Sequence, residues 1–216
     1  MKISHILSAL LMGSIVTFSG CSSNDSNDLI TSSAYSVKVV NLTAAQPMSP
    51  IIVSSISLFS IGESASVGLE KLAEGGDNSD LVNENSVSGT KLIAPSQSDE
   101  VIIETKATQL SLASMLVRTN DAFIGLDSYD VSSLAVDGTL EVELAVYDAG
   151  TEENTETNAS IPGLGGEGFN SARESVDQVS SHSGIISKDD GLVTSDLNAI
   201  DKFNNPAAKV VITRIR

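Results

Sequence analysis

Short apolar segments rich in β-branched residues recur along this chain and limit what it can fold into. In several of them hydrophobic and polar residues alternate with a period of two, which is typical of a strand with one buried face. Turn-forming residues separate the segments. The pattern predicts a mainly β fold, an antiparallel β-sandwich with a few short helices. The predicted strands are Tyr35–Leu42, Ile51–Phe59, Glu100–Ala107, Leu110–Arg118, Leu140–Tyr147 and Lys209–Ile215.

Three short helices are predicted between the strands. Ser64 or Ser66 caps the first, which ends at the pair of glycines after Glu74. Ser79 caps the second, and the third covers Ser195–Phe203.

The segment Gly150–Val179 has few apolar residues and many Gly, Asn and Glu. We predict one long loop here, at the rim of the sandwich where Asp148 lies. Loops of such length are usually functional or mobile.

Two of the apolar runs end in a carboxylate, Asp121 after the first and Asp148 after the second. If both strands end at the same rim, these acids converge, and convergent carboxylates repel one another unless a cation lies between them. Ca²⁺ takes six to eight oxygen ligands, which loop ends can supply. The sequence therefore predicts a Ca²⁺ site. Its leading candidate ligands are Asp121, Asp148 and Glu152, followed by Glu74 and Asp127.

A second interpretation needs no cation. Asn120-Asp121 is a turn-forming pair, and Asp148 starts another turn. In that case both carboxylates serve only local turns.

Three motifs carry a resemblance to one family. Ser114–Val117 followed by Asn120–Asp127 is similar to the strand-loop motif S-M-x-V-P-S-P-D-W-F-x-G of the spondin amino-terminal domain, found in F-spondin and mindin. Tyr147–Glu152 resembles its W/Y-D-A-G-T-D. Ile61–Leu69 and Leu72–Gly76 resemble its G-x-x-A-S-x-G and A-E-x-G. The motifs occur in the family's order and together cover about residues 35–215.

The chain departs from the family pattern at a few positions. Ala122 replaces the Trp after the first Asp, Glu152 replaces the second Asp, and the cysteines of the animal domain are absent. The resemblance implies a spondin-like β-sandwich over residues 34–216. It also implies a non-enzymatic part in adhesion and recognition, often with Ca²⁺.

The amino terminus predicts a lipoprotein. Residues 1–20 have a basic start, an apolar run at residues 6–16 and small residues before Cys21, as in a secretory signal. The position of Cys21, the single cysteine, resembles the bacterial lipobox, in which that cysteine becomes the lipid-modified first residue. The alternative is a cleaved signal followed by an incidental cysteine. Residues 21–33 are predominantly polar, and we expect them to serve as a flexible tether.

These features place the protein in a bacterial cell envelope, lipid-anchored. Ser22 after the cysteine resembles outer-membrane sorting, with the domain periplasmic or surface-exposed.

The charge of the chain limits its partners. Without Lys2, eleven Lys and Arg stand against 28 Asp and Glu, a net charge near −17. Such a field excludes nucleic acid and anionic lipid headgroups as partners. Attachment to a membrane is therefore expected only through the lipid anchor.

Sequence patterns for catalysis are weak. The glycine-rich residues 162–168 lack the Gly-Lys-Ser/Thr of a phosphate-binding loop. His182 is the single histidine after the signal. The sequence has no G-x-S-x-G motif that would supply a nucleophilic serine for it, and one histidine without further Cys or His ligands cannot form the usual zinc site. The sequence favours a non-enzymatic binding or adhesion module whose ligand is an unidentified surface protein or glycan. A metal-dependent envelope hydrolase and a purely structural envelope component are the alternatives.

Overall fold

Nine antiparallel strands and one α-helix form the part of the chain that the structure, a computed structural model, describes: residues 31–173 and 176–216. The predicted signal, Cys21 and most of the tether lie outside these residues. The helix α1 is Val67–Gly75. The strands are β1 (Ser33–Asn41), β2 (Ile52–Ser54), β3 (Ser86–Ser88), β4 (Ser98–Thr105), β5 (Gln109–Met115), β6 (Ala122–Asp130), β7 (Thr139–Asp148), β8 (Ser180–Ser181) and β9 (Ala208–Arg214).

The strands follow one another in the order β3-β2-β5-β6-β7-β9-β1-β4, with β8 beside β7. Strand β7 joins the two halves of the sheet: Thr139–Leu144 pairs with β9, and Ala145–Asp148 pairs with β6. The sheet curls into a nearly closed, barrel-like form whose two edges are β3 and β4. The predicted mainly β, antiparallel fold is confirmed.

The main core lies between the two halves of the sheet. Alternate residues of each strand point inward, so that Val37 and Val39 of β1 meet Leu112 of β5 and Ile124 of β6. A second cluster packs α1 against the outside of β5 and β6 through Leu69 and other buried residues. Full burial of each such side chain contributes about 1.5–3 kcal/mol.

The predicted strands at β1, β4, β5, β7 and β9 are observed, with shifted ends. Ile51–Phe59 forms only the three-residue β2, because the Ser54 hydroxyl accepts the Ile56 N–H and turns the chain. β6 was not among the predicted strands. Gly125 interrupts its apolar run, and residues beyond Leu126 are mostly polar.

The helix predictions are confirmed only for α1. Ser79–Leu81 is a single 3-10 turn, and the predicted helix at Ser195–Phe203 is only the 3-10 turn Ala199–Asp201. Here a capping box between Asn198 and Asp201 closes one turn, which does not continue. Among the described residues, no helix has the length and apolar character needed to cross a membrane.

Candidate functional site

Helix α1 carries Glu74 to the rim. The Ser66 hydroxyl caps the helix by accepting the Leu69 N–H at 3.1 Å. Gly76 ends it in the left-handed conformation, with φ of 70°. Leu72 is fully buried beneath the helix, which fixes its last turn. Glu74 therefore lies fully buried at the end of a rigid element.

A tight turn between β5 and β6 places Asp121. The Thr119 hydroxyl donates to the Leu116 carbonyl at 2.7 Å and accepts the Ala122 N–H at 3.1 Å, which closes the turn. The carbonyl of Asp121 accepts the Ala149 N–H at 3.2 Å, next to the end of β7. The two strand ends predicted to meet at one rim are therefore adjacent.

The Asp121 side chain is completely buried and holds the loop that follows β7. Its Oδ2 accepts the Thr151 N–H at 2.8 Å, the Thr151 hydroxyl at 3.3 Å and the Glu152 N–H at 3.1 Å. Its Oδ1 accepts the Asn120 side-chain amide at 3.3 Å. In the same loop, Gly150 has a φ of 70° and allows the backbone of residues 176–178 to pack closely, because a Cβ there would overlap that backbone.

Two further carboxylates lie around this buried aspartate. Asp148 accepts the Gly150 N–H at 2.8 Å and the Asn154 side-chain amide at 2.8 Å, and its charge acts on Asp121. Glu74 accepts the Asn170 N–H at 2.7 Å through Oε2.

The second oxygen of Glu74, Oε1, is buried without a hydrogen bond of good geometry. The Thr151 side chain lies close enough to lower the pKa of Glu74 slightly. The Thr151 hydroxyl, however, donates its hydrogen bond to Asp121. Glu74 thus keeps one buried acceptor oxygen, close to Thr151, without a hydrogen bond of good geometry.

Burial dominates the electrostatics of this group. It raises the pKa of Asp121 to about 7; the charge of Asp148 adds to the rise, and the N–H donors of Glu152 and Thr151 oppose it. Burial also raises the pKa of Glu74. Both shifts favour the protonated form of these carboxyl groups.

The donor set fits a hard cation only in part. All the candidate groups are oxygens, as Ca²⁺ requires, and Glu74 offers a free one. Yet the described residues contain no group of three or more His, Cys, Asp or Glu side chains placed to hold a metal ion. A bound ion would draw its remaining ligands from backbone carbonyls and water.

The structure brings four of the five candidate ligands together and leaves one apart. Asp121 and Glu74 both lie against Thr151, Asp148 is near enough to Asp121 for its charge to act there, and Glu152 contributes its N–H to Asp121. Asp127 lies six residues further along β6, roughly 20 Å from Asp121 at the usual rise per residue. There it accepts hydrogen bonds from the hydroxyls of Ser57 and Ser128.

A groove of about 350 Å³ opens beside Asp148. Glu152 and Glu153 make its lining acidic, together with polar and small side chains. The complete lining is Asp148, Gly150, Glu152, Glu153, Asn154, Val176, Gln178 and Ser180.

His182 does not belong to this groove. Its ring is buried against Phe203, and Nδ1 accepts the Gly184 N–H at 2.9 Å. Burial lowers its pKa, while the charge of Asp148 acts in the opposite direction. His182 therefore lies outside the groove as a buried side chain packed against Phe203.

Sequence reasoning missed Thr151 and Asn170, which orient the carboxylates. The D-A-G-T motif contained a signal for Thr151, since it follows a glycine that permits a tight turn. No pattern pointed to Asn170, which lies in the long loop and meets Glu74 only in three dimensions.

Comparison with known proteins agrees with this geometry. No curated protein matches the chain. The sequence model of the family described as Spondin_N matches residues 48–163, a range that contains α1, Asp121 and the loop after β7. The three motifs that meet at Thr151 all fall within that match, and the chain belongs to the spondin amino-terminal domain family, a family of extracellular-type binding and adhesion modules.

Proposed function

We propose that this protein is a lipid-anchored binding or adhesion module of a bacterial cell envelope, and that Ca²⁺ stabilises its loop rim. Family membership supports the binding role, since this is a non-enzymatic, binding-type domain family. The position of Asp121 and Glu74 on either side of Thr151, with Asp148 close enough to act on Asp121, supports the cation part of the proposal.

The role of the cation is to fix the loops that present the ligand-binding surface. Burial of Asp121 and Glu74, together with the repulsion between Asp121 and Asp148, costs stability when these carboxylates are charged. A cation that binds only the folded state removes that cost and stabilises the fold according to its concentration and affinity. The described chain has no disulfide to hold this rim, since Cys21 is the single cysteine.

A thermal melt tests the cation. The soluble form that begins at Ser22 is melted in EDTA and across a Ca²⁺ titration, with Mg²⁺ as the control ion. We expect a rise in Tm that depends on the Ca²⁺ concentration and is smaller with Mg²⁺, because Mg²⁺ demands a more regular octahedral site.

Paired variants localise the effect. The double variant Asp121→Asn/Asp148→Asn is expected to lose the response to Ca²⁺. Asp127→Asn removes one carboxylate from β6, away from the site, and is expected to keep the response to Ca²⁺. If the double variant and the parent melt alike with and without Ca²⁺, the rim does not bind the ion.

The anchor rests on the signal-like residues 1–20 and on Cys21. Cells expressing the chain are labelled with a palmitate analogue and fractionated. The parent is expected in the membrane fraction with label, and Cys21→Ser in the soluble fraction without it. Label on the Cys21→Ser variant would exclude this residue as the attachment point.

The ligand itself is proposed as a surface protein or glycan of the envelope or its surroundings. Binding to candidate proteins and glycans is measured both with and without Ca²⁺. The comparison is informative because the rim is the expected contact region.

A further inference from the structure

The sheet is left open between its two edge strands. Strand β4 pairs with β1 through Ser33–Val40, and no strand among the described residues pairs with its other edge. Alternate backbone N–H and C=O groups on such an edge point away from the sheet and can accept another strand. β3 is the opposite edge of the sheet and is only three residues long.

The gap between β3 and β4 is closed at one end and open at the other. At the closed end, Asp99 of β4 packs so tightly against Gly89 that a Cβ on that glycine would overlap its carboxylate. At the open end a groove of about 480 Å³ lies between residues 55–56 and 84–85 on one side and residues 104–107 on the other.

Three glutamates lie on the two sides of this opening. Glu100 and Glu104 stand on the solvent side of β4, on either side of the exposed Ile102. Glu84 lines the facing wall of the groove, and Lys106 is the one basic residue of its lining. Arg216 lies beside the groove and donates to Glu104 at 2.9 Å, so a basic partner competes with it for that carboxylate. Opposite charges directly across a strand pair are favourable and like charges are unfavourable.

Charge distinguishes three candidate occupants of this edge: a second copy of the chain, its own residues 22–30 and a strand of another protein. A second copy of the chain brings another net charge near −17 and, in the register centred on Ile102, sets Glu100 opposite Glu104 of that copy. The chain's own residues 22–30 carry Asp25 and Asp28 and no basic residue. A strand with Lys or Arg at alternate positions meets both glutamates with opposite charge.

We propose that the open edge of β4 binds an extended basic segment of a partner protein, which adds a strand along Ile102–Thr105. Backbone hydrogen bonds provide the attachment, and alternate basic side chains provide the selectivity. The carboxylates of Glu100 and Glu104 disfavour pairing with acidic or uncharged strands and favour a basic one. This surface is separate from the cation site, so a negative result for Ca²⁺ binding would not contradict strand addition, and the reverse also holds.

Peptide binding tests the proposal with the soluble form that begins at Ser22. The probe is a fluorescein-labelled heptapeptide of alternating lysine and valine, measured by anisotropy. Its controls are a glutamate–valine heptapeptide and a lysine–proline heptapeptide, which has the same charge but lacks ladder donors at alternate positions. We expect the lysine–valine peptide to bind at least about tenfold more tightly than either control, and to protect the amides of Ile102–Thr105 from hydrogen exchange.

Two charge-reversal variants localise the binding. Glu100→Lys/Glu104→Lys is expected to weaken the lysine–valine peptide by at least about tenfold and to improve the glutamate–valine peptide. Glu141→Lys/Glu143→Lys makes the same change in net charge on β7, at two positions that pair with β9 and lie outside the open edge of β4. That variant is expected to change binding by less than about threefold.

Three results would overturn the proposal. They are equal loss of binding in both variants, equal binding of the lysine–proline peptide, and no binding of the lysine–valine peptide. A concentration-dependent dimer of the parent chain that protects β4 would assign the edge to a second copy instead.

Discussion

Thr151 donates two hydrogen bonds to one oxygen of Asp121, from its N–H at 2.8 Å and from its hydroxyl at 3.3 Å. The two residues are 30 positions apart, on either side of β6 and β7. Their contact ties the turn after β5 to the loop after β7, and Glu74 lies against the same threonine. A carboxylate that organises a loop in this way is also the group whose ionisation sets the stability of the rim.

Stability in EDTA is expected to fall as pH rises through neutrality. Asp121 has a pKa of about 7 in the folded chain and near 3.9 when unfolded, so the fold favours its protonated form. Its contribution is complete below about pH 4 and is lost as pH approaches and passes 7. The shift corresponds to roughly 4 kcal/mol at most. Glu74, whose pKa is also raised, acts in the same direction. Urea unfolding between pH 4 and 8 measures the slope.

The matched variant for that slope is Asp121→Asn, which cannot ionise. It is expected to flatten the profile, and saturating Ca²⁺ is expected to stabilise the parent more at pH 8 than at pH 5, because the ion displaces a proton. A parent whose stability does not change over this range would contradict the burial of an ionisable Asp121.

His182 is expected to titrate below the usual value near 6.5. Burial lowers its pKa, and Asp148 resists that change through its negative charge. Since the soluble form has a single histidine, its imidazole resonances report the titration directly in an NMR pH series. Ca²⁺ bound beside Asp148 is expected to lower the pKa further. A value at or above 6.5 would mean that the ring is solvated.

Gly125→Ala is expected to destabilise the fold by about 1–3 kcal/mol. A Cβ at this position would lie 2.6 Å from Cζ of Phe59, whose ring is 5.0 Å from both Phe123 and Tyr147. Urea denaturation measures the loss. Gly168→Ala is the control, because the Cβ there meets only Gly75 at 3.5 Å. Equal stability of the two variants would contradict this prediction, because it would show that the Phe59 ring moves away from the added methyl group at little cost.

Arg118→Met is expected to cost about 3 kcal/mol of unfolding free energy. Its Nε donates to Oδ1 of Asp201 at 2.6 Å, and the Asp201 side chain is only 1% exposed. The variant leaves a buried carboxylate with fewer donors, and adding Asp201→Asn is expected to recover part of the loss. Lys209→Met breaks an ion pair on the surface and is expected to leave the urea midpoint unchanged. Equal effects of the two single substitutions would refute the argument.

Much of the fold follows from local pattern. The period-two segments predicted five of the strands, and the sequence from Ser66 to Gly76 contained both caps of α1. These features depend on neighbouring residues, so they can be recognised without the fold. β6 escaped prediction because Gly125 breaks its apolar run. That glycine is explained only by the Phe59 ring that packs against it.

The sequence by itself determined the antiparallel β class, the acidic charge and the residue types that gather at the rim. Tertiary structure alone decided that Glu74 joins Asp121 and Asp148 while Asp127 lies apart, and that the sheet stays open between β3 and β4. The physical reason is that side chains far apart in sequence meet only through strand order and register. Burial and charge at such a meeting point depend on every element around it.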